Sequence, residues 1–166
     1  MSATAQLLSN NDVYTQSFEY AGLPAPPAMK VAVVTCMDAR LDPARALGID
    51  VGDAHVIRNA GGVLTDDVIR SLSISQHHLG TEEIVLVHHT DCGMLTFTDE
   101  EFANARELSR GLRPPWSART FADVVEDVRD GVRIVIASPF IPRKHSVRGF
   151  VYDVETGRLH EVSRAD

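Results

Sequence analysis

Two runs of four consecutive apolar residues, Val31-Ala32-Val33-Val34 and Ile84-Val85-Leu86-Val87, lack the polar alternation of a strand with one face in water. They read as strands buried on both faces, the pattern that a parallel sheet requires. Each run then breaks into polar residues that include a cysteine, in Cys36-Met37-Asp38-Ala39-Arg40 and in His89-Thr90-Asp91-Cys92-Gly93. These are the only two cysteines among 166 residues. Parallel strands end at the same sheet edge, so Cys36, His89 and Cys92 are expected to converge there.

Thiolate and imidazole match the borderline softness of zinc, and three protein ligands leave a fourth tetrahedral position open, as catalytic sites do. A single free cysteine is more often a small buried hydrophobe than a ligand. Two of them at strand ends, one with a histidine three residues before it, reverse that preference. In such sheets ligands bind outside the carboxyl ends of the strands, where strand order reverses. Cys36 and His89 both fall at such ends.

The length and an apolar content of 44% suit one domain with one core. A formal charge of −7 argues against a nucleic-acid partner, which calls for a basic face. No apolar stretch approaches the roughly 20 residues of a membrane span, and the N-terminus lacks the layout of a secretory signal. A cytoplasmic location is therefore expected, where two cysteines serve a metal more often than a disulfide.

Residues 5 to 22 read as a polar helical segment ending at Gly22, and Pro24-Ala25-Pro26-Pro27 then forms a stiff tether. Residues 1–28 are thus taken as a helical arm, which either caps its own domain or lies on a partner chain, and 29–166 as a single α/β domain. Asp42-Pro43 opens a short helix that Gly48 closes. A strand is expected at His55–Asn59, a crossover helix from Thr65 to Gly80, and a strand over 83–89. Thr98 and Glu101 have capping-box spacing for a helix over 99–110. Val124, Val125, Val128 and Val132 support a long helix from Thr120 to Ile136, and Ser146 to Val162 reads as a hairpin at a sheet edge. The expected class is α/β, a mainly parallel central sheet with helices on both faces and a C-terminal edge hairpin.

Cys36, Asp38 and Arg40 alternate, so in an extended stretch their side chains share a side. Asp38 is placed to accept a hydrogen bond from a metal-activated water, with Arg40 holding the carboxylate by a two-pronged contact. Asp38 has a second option: it could fill the fourth zinc position itself and close the site, while Arg40 favours the open state. The plainer reading of this pair is a local salt bridge at a helix entrance. His88 rivals His89 for the metal, but neighbouring strand residues face opposite ways and only one should reach it. His55, His77, His78, His145 and His160 are scattered and read as surface or satisfied core residues.

Cys36-x-Asp38-x-Arg40, Arg58-Asn59-Ala60-Gly61 and His89-x2-Cys92-Gly93 together resemble the β-class carbonic anhydrases, most closely a compact bacterial subgroup. The resemblance implies zinc on Cys36, His89 and Cys92, the Asp38–Arg40 dyad, and reversible hydration of carbon dioxide to bicarbonate and a proton. It also implies a homodimer or larger assembly in which the N-terminal arm crosses the neighbouring subunit. Two departures stand out. Asp50 occupies the place of a plant-type glutamine that helps orient substrate, and Val33 the place of a tryptophan in the inhibitory bicarbonate pocket of some closed-site members. Two other functions share these residues: hydrolysis of carbon disulfide or carbonyl sulfide, and a zinc or thiol sensor without turnover. Asp38 and Arg40 count against the sensor, since a structural site has no use for a polar dyad at an open position.

Overall fold

The two apolar runs become the middle of a sheet. In the computed structural model, which describes residues 1–162, β1 (Val31–Cys36) pairs in parallel with β2 (Ala54–Asn59) on one side and β3 (Glu83–His89) on the other. β3 pairs in parallel with β4 (Val147–Tyr152), and antiparallel β5 (Leu159–Val162) completes the edge hairpin. Among the described residues these strands form one sheet in the order β2-β1-β3-β4-β5. The chain leaves β1 toward one side and returns on the other. Strand order thus reverses at β1, where such sheets open a crevice at their carboxyl ends.

Helix α3 (Asp66–Leu79) starts where the Thr65 hydroxyl accepts from Val68 N at 3.3 Å and stops at left-handed Gly80. Helix α5 (Val124–Ala137) starts later than the expected Thr120. The Asp123 carboxylate accepts from Val125 N at 2.7 Å and Glu126 N at 3.1 Å, and this cap sets the first turn. Leu64, Val68 and Leu72 join Val132 and Val135 in one buried cluster with Ala32, Val34, Ile84, Leu86 and Val147. The sheet residues in that cluster alternate along their strands, so α3 and α5 cover the same face. Burying a side chain such as Leu72 contributes about 1.5–3 kcal/mol, and the row as a whole holds the strand ends in fixed relation.

Two short helices frame the sheet ends: α2 (Pro43–Leu47), between an Asp42 cap and left-handed Gly48, and α4 (Asp99–Arg110), with a complete Thr98–Glu101 capping box. Helix α1 (Ala3–Thr15) is shorter than the expected 5–22. Its last turn tightens, with Gln16 N donating to Val13 O at 3.2 Å and Ser17 N to Tyr14 O at 3.3 Å. No residue of α1 is buried. No helix among the described residues is long and apolar enough to cross a membrane.

Gly149 marks the closest approach of β4 to α5, since a Cβ there would run into the Val128 side chain. Gly149→Ala should destabilise the protein by about 1–3 kcal/mol through overpacking, read as a lower urea midpoint with an unchanged slope.

Candidate metal centre

Cys36 closes β1 and His89 closes β3, the two central strands, while Cys92 follows in the loop that turns away from β3. The ligand atoms of the three residues all lie within 4.8 Å of one another, and all three side chains are buried. The His89 ring is set by its other nitrogen: Nδ1 donates to Thr90 O at 2.8 Å, so Nε2 carries the lone pair. That Nε2 is buried and has no hydrogen-bond partner. An unpaired buried acceptor costs about 1–3 kcal/mol, and an acceptor facing two thiols is what a metal ion would satisfy. The donor set therefore fits a metal, and Thr90 is the orienting partner that such histidines ordinarily have.

The two thiols interact before any metal is considered. The neighbouring Cys92 thiol pulls the Cys36 thiol down to about 4, helped, against burial, by His89. The same contact pushes Cys92 up. For His89, burial opposes the charged form, but Cys36 and the Thr90 carbonyl lift it above the ordinary histidine value. One negative charge is thus already favoured where a cation would sit.

Asp38 and Arg40 lie beside this cluster. Arg40 Nε donates to Asp38 Oδ1 at 3.0 Å and Nη2 to Oδ2 at 2.8 Å, the two-pronged contact expected from their spacing. The Arg40 guanidinium beside it holds the Asp38 carboxyl well below the usual carboxylate range. Asp38 Oδ2 lies 3.8 Å from His89 Nε2, so the carboxylate borders the cluster while turned to Arg40.

His88 points elsewhere. Its Nε2 donates to Gly62 O at 3.1 Å, its ring stacks on Phe121, and its Nδ1 is 3.2 Å from Asp127 Oδ2 without hydrogen-bond geometry. Burial pushes His88 down to about 4 and Asp127 up to about 6. Gly62 has φ +74, and a Cβ there would crowd the Cys36 amide and the His88 ring, so both conformation and space demand glycine. Of the remaining histidines, His77 and His78 are exposed at the end of α3, and His55 Nδ1 meets the Ser75 hydroxyl at 2.7 Å.

Several contacts at the site carry no local sequence signal. Arg58, on β2, donates from Nε to Cys36 O at 3.0 Å and from Nη2 to Asp38 O at 2.8 Å, tying down the segment that bears both residues. Val33, at the place of the tryptophan of the closed-site pocket, is buried in β1. Arg40 also reaches Asp91, donating from Nη1 to Oδ2 at 2.6 Å and from Nη2 to the carbonyl at 2.9 Å. Met94, Phe97, Phe102, Trp116 and Ala118 line a cavity of about 650 Å³ that also touches Cys36, Asp38 and Cys92. The Phe102 ring packs between Phe97 and Trp116. Asp50 does not join the site of its own chain. It lies in the exposed turn before β2, at the sheet end opposite Cys36, because parallel register pairs Cys36 with Asn59.

The family model for carbonic anhydrase matches residues 31–130, a span that runs from the start of β1 into α5. The chain belongs to the β-carbonic anhydrase family. It is 56% identical to beta-carbonic anhydrase 1 of Mycobacterium tuberculosis, over 98% of this chain and 99% of that one. The crystal structure of a carbonic anhydrase from Streptococcus mutans superposes with a TM-score of 0.93 at 46% identity, covering 98% of this chain and 99% of that one. A carbon disulfide hydrolase of Acidianus is 38% identical over 84% of this chain and 80% of that one. These relationships make the chain an enzyme of the carbonic anhydrase family, and the Cys-His-Cys cluster the place where it could hold a metal.

Substitution separates the two histidines. His89→Ala should lose most of its metal, whereas His88→Ala, removing a ring that faces Gly62 and Asp127, should keep it; elemental analysis of folded protein reads both. Full metal occupancy in His89→Ala would overturn the assignment.

Proposed function

We propose that the protein is a zinc enzyme that hydrates carbon dioxide reversibly to bicarbonate and a proton, with Cys36, His89 and Cys92 as ligands and Asp38 and Arg40 as the dyad beside them. What carries the reading is the unpaired, buried Nε2 of His89 between two thiols, with an ionised carboxylate 3.8 Å away. Zinc, when bound, supplies the Lewis acidity that makes a water nucleophilic near neutral pH. The rest is work for the chain. Asp38 Oδ2 accepts a hydrogen bond from the reacting water and aims it. Arg40 keeps that carboxylate ionised and turned. Met94, Phe97 and Ala60 give the apolar wall on which an uncharged, nonpolar substrate sits and from which bulk water is kept.

Stopped-flow hydration assays on metal-quantified protein test this directly. Activity should disappear on chelator treatment and return with zinc, and Asp38→Asn or Arg40→Ala should lower the rate about a hundredfold at unchanged metal content. Zinc-loaded wild-type protein without hydration activity would refute it. The same apolar wall, and the 38% identity to a protein named carbon disulfide hydrolase, support a second reading in which carbon disulfide or carbonyl sulfide is the electrophile. Sulfide release from the same preparation decides between them. A purely sensory site is disfavoured by the dyad. Both cysteines are free thiols, which suits a reducing cytoplasm.

The assembly we propose is a homodimer or a larger homo-oligomer. In the single chain α1 is wholly unburied, and Leu7, Leu8, Val13, Tyr14 and Phe18 along the arm are exposed. Apolar groups on a helix that its own domain does not cover fit a second copy as their cover. Removing residues 1 to 22 should shift the mass found by light scattering toward the monomer. A full-length monomer of about 18 kDa with full activity would count against it.

A further inference from the structure

Arg40 is held from two sides, and only one of them is the dyad. Asp38 is its near neighbour, two residues away, so that pair could move as one piece. Asp91 is 51 residues distant in sequence and lies between the candidate ligands His89 and Cys92. It presents both its carboxylate and its carbonyl to Arg40, at 2.6 Å and 2.9 Å. It does so at φ +53, a left-handed conformation that aspartate and asparagine adopt more readily than other non-glycine residues. With Nε and Nη2 on Asp38 and Nη1 and Nη2 on Asp91, each guanidinium nitrogen has a carboxylate or carbonyl partner.

We propose that Asp91 is a positioning residue for the reaction: it docks Arg40 onto the loop that carries His89 and Cys92, and so fixes where Arg40 holds the Asp38 carboxylate. Without it the Asp38–Arg40 pair is anchored on its own segment alone, and Asp38 Oδ2, already 3.8 Å from His89 Nε2, is free to turn into the Cys-His-Cys cluster. The contact contributes little to stability, since Asp91 and Arg40 are 76% and 49% exposed and exposed ion pairs are weak. Its effect is therefore on geometry, where small misplacements cost rate.

The inference rests on the proposed zinc site, and the test keeps the two apart. Asp91→Asn retains an acceptor and tolerates the left-handed turn. Asp91→Gly retains the turn and deletes the side chain. At equal zinc content and unchanged melting temperature, kcat for carbon dioxide hydration should fall in the order Asp, Asn, Gly, with about a tenfold loss for glycine and KM within twofold. Cobalt substitution gives a readout independent of turnover. The visible spectrum of the Asp91→Gly protein should differ from wild type, and adding Asp38→Ala should abolish the difference, because position 38 then has no side-chain oxygen to join the metal. A glycine variant with wild-type kcat and cobalt spectrum would overturn the role of Asp91. Failure of wild-type protein to bind cobalt or zinc would instead refute the metal reading.

Discussion

The parallel pairing of β1 with β3 is the constraint on which the site depends. It runs in register from Val31 opposite Glu83 to Thr35 opposite Val87, and the buried Thr35 hydroxyl adds a bond to Val87 O at 2.7 Å. Cys36 and His89 are the residues at the far end of that ladder, and neither strand has freedom to slide. A slip of one residue would exchange the faces of His88 and His89 and bring the wrong imidazole to the thiols. Because the two strands are buried on both faces, such a slip would also strip apolar residues from the core. The positions of the candidate ligands are thus enforced by hydrophobic packing far from them.

Around this frame the polar groups are arranged with few left over. Two thiols favour one negative charge, His89 offers a lone pair into the same space, and Asp38 stays ionised because Arg40 holds it. Arg58 secures the backbone beneath Cys36 and Asp38, and Arg40 ties that segment to the loop bearing Cys92 through Asp91. Asp38 and Asp91, the carboxylates beside the cluster, are both paired with Arg40. The opposite wall is apolar, from Met94 to Trp116, and α4 stands over it on a capping box, with Asp99 bonded to Thr120. On the proposed reading, the apolar wall takes the uncharged substrate and the charged floor holds the groups that act on it.

Much of this was legible in the residues alone. The β1 and β3 runs, the Asp42 and Thr65 caps, the glycines that stop α2 and α3, and the edge hairpin follow from local chemistry that acts over a few residues. The convergence of Cys36, His89 and Cys92 followed from those strands plus the rule that parallel strands end together, and the Asp38–Arg40 contact from a spacing of two. Helix ends are less legible: α1 stops at Thr15, short of Gly22, and α5 starts after Asp123 rather than at Thr120.

What tertiary structure alone decided is everything that depends on distance in sequence. The Arg40–Asp91 contact spans 51 residues, Arg58 reaches its carbonyls from another strand, and the aromatic wall collects Phe97, Phe102 and Trp116 from three segments. Asp50 lies at the sheet end opposite the cluster for the same reason, since strand register and not motif position determines which end a residue occupies. Sequence determines which residues can ligate, cap or pair, because those are properties of side chains and their near neighbours. Which of them meet is determined by how the sheet is ordered, because only burial of the whole core selects one register and one strand order from the many that local preferences allow.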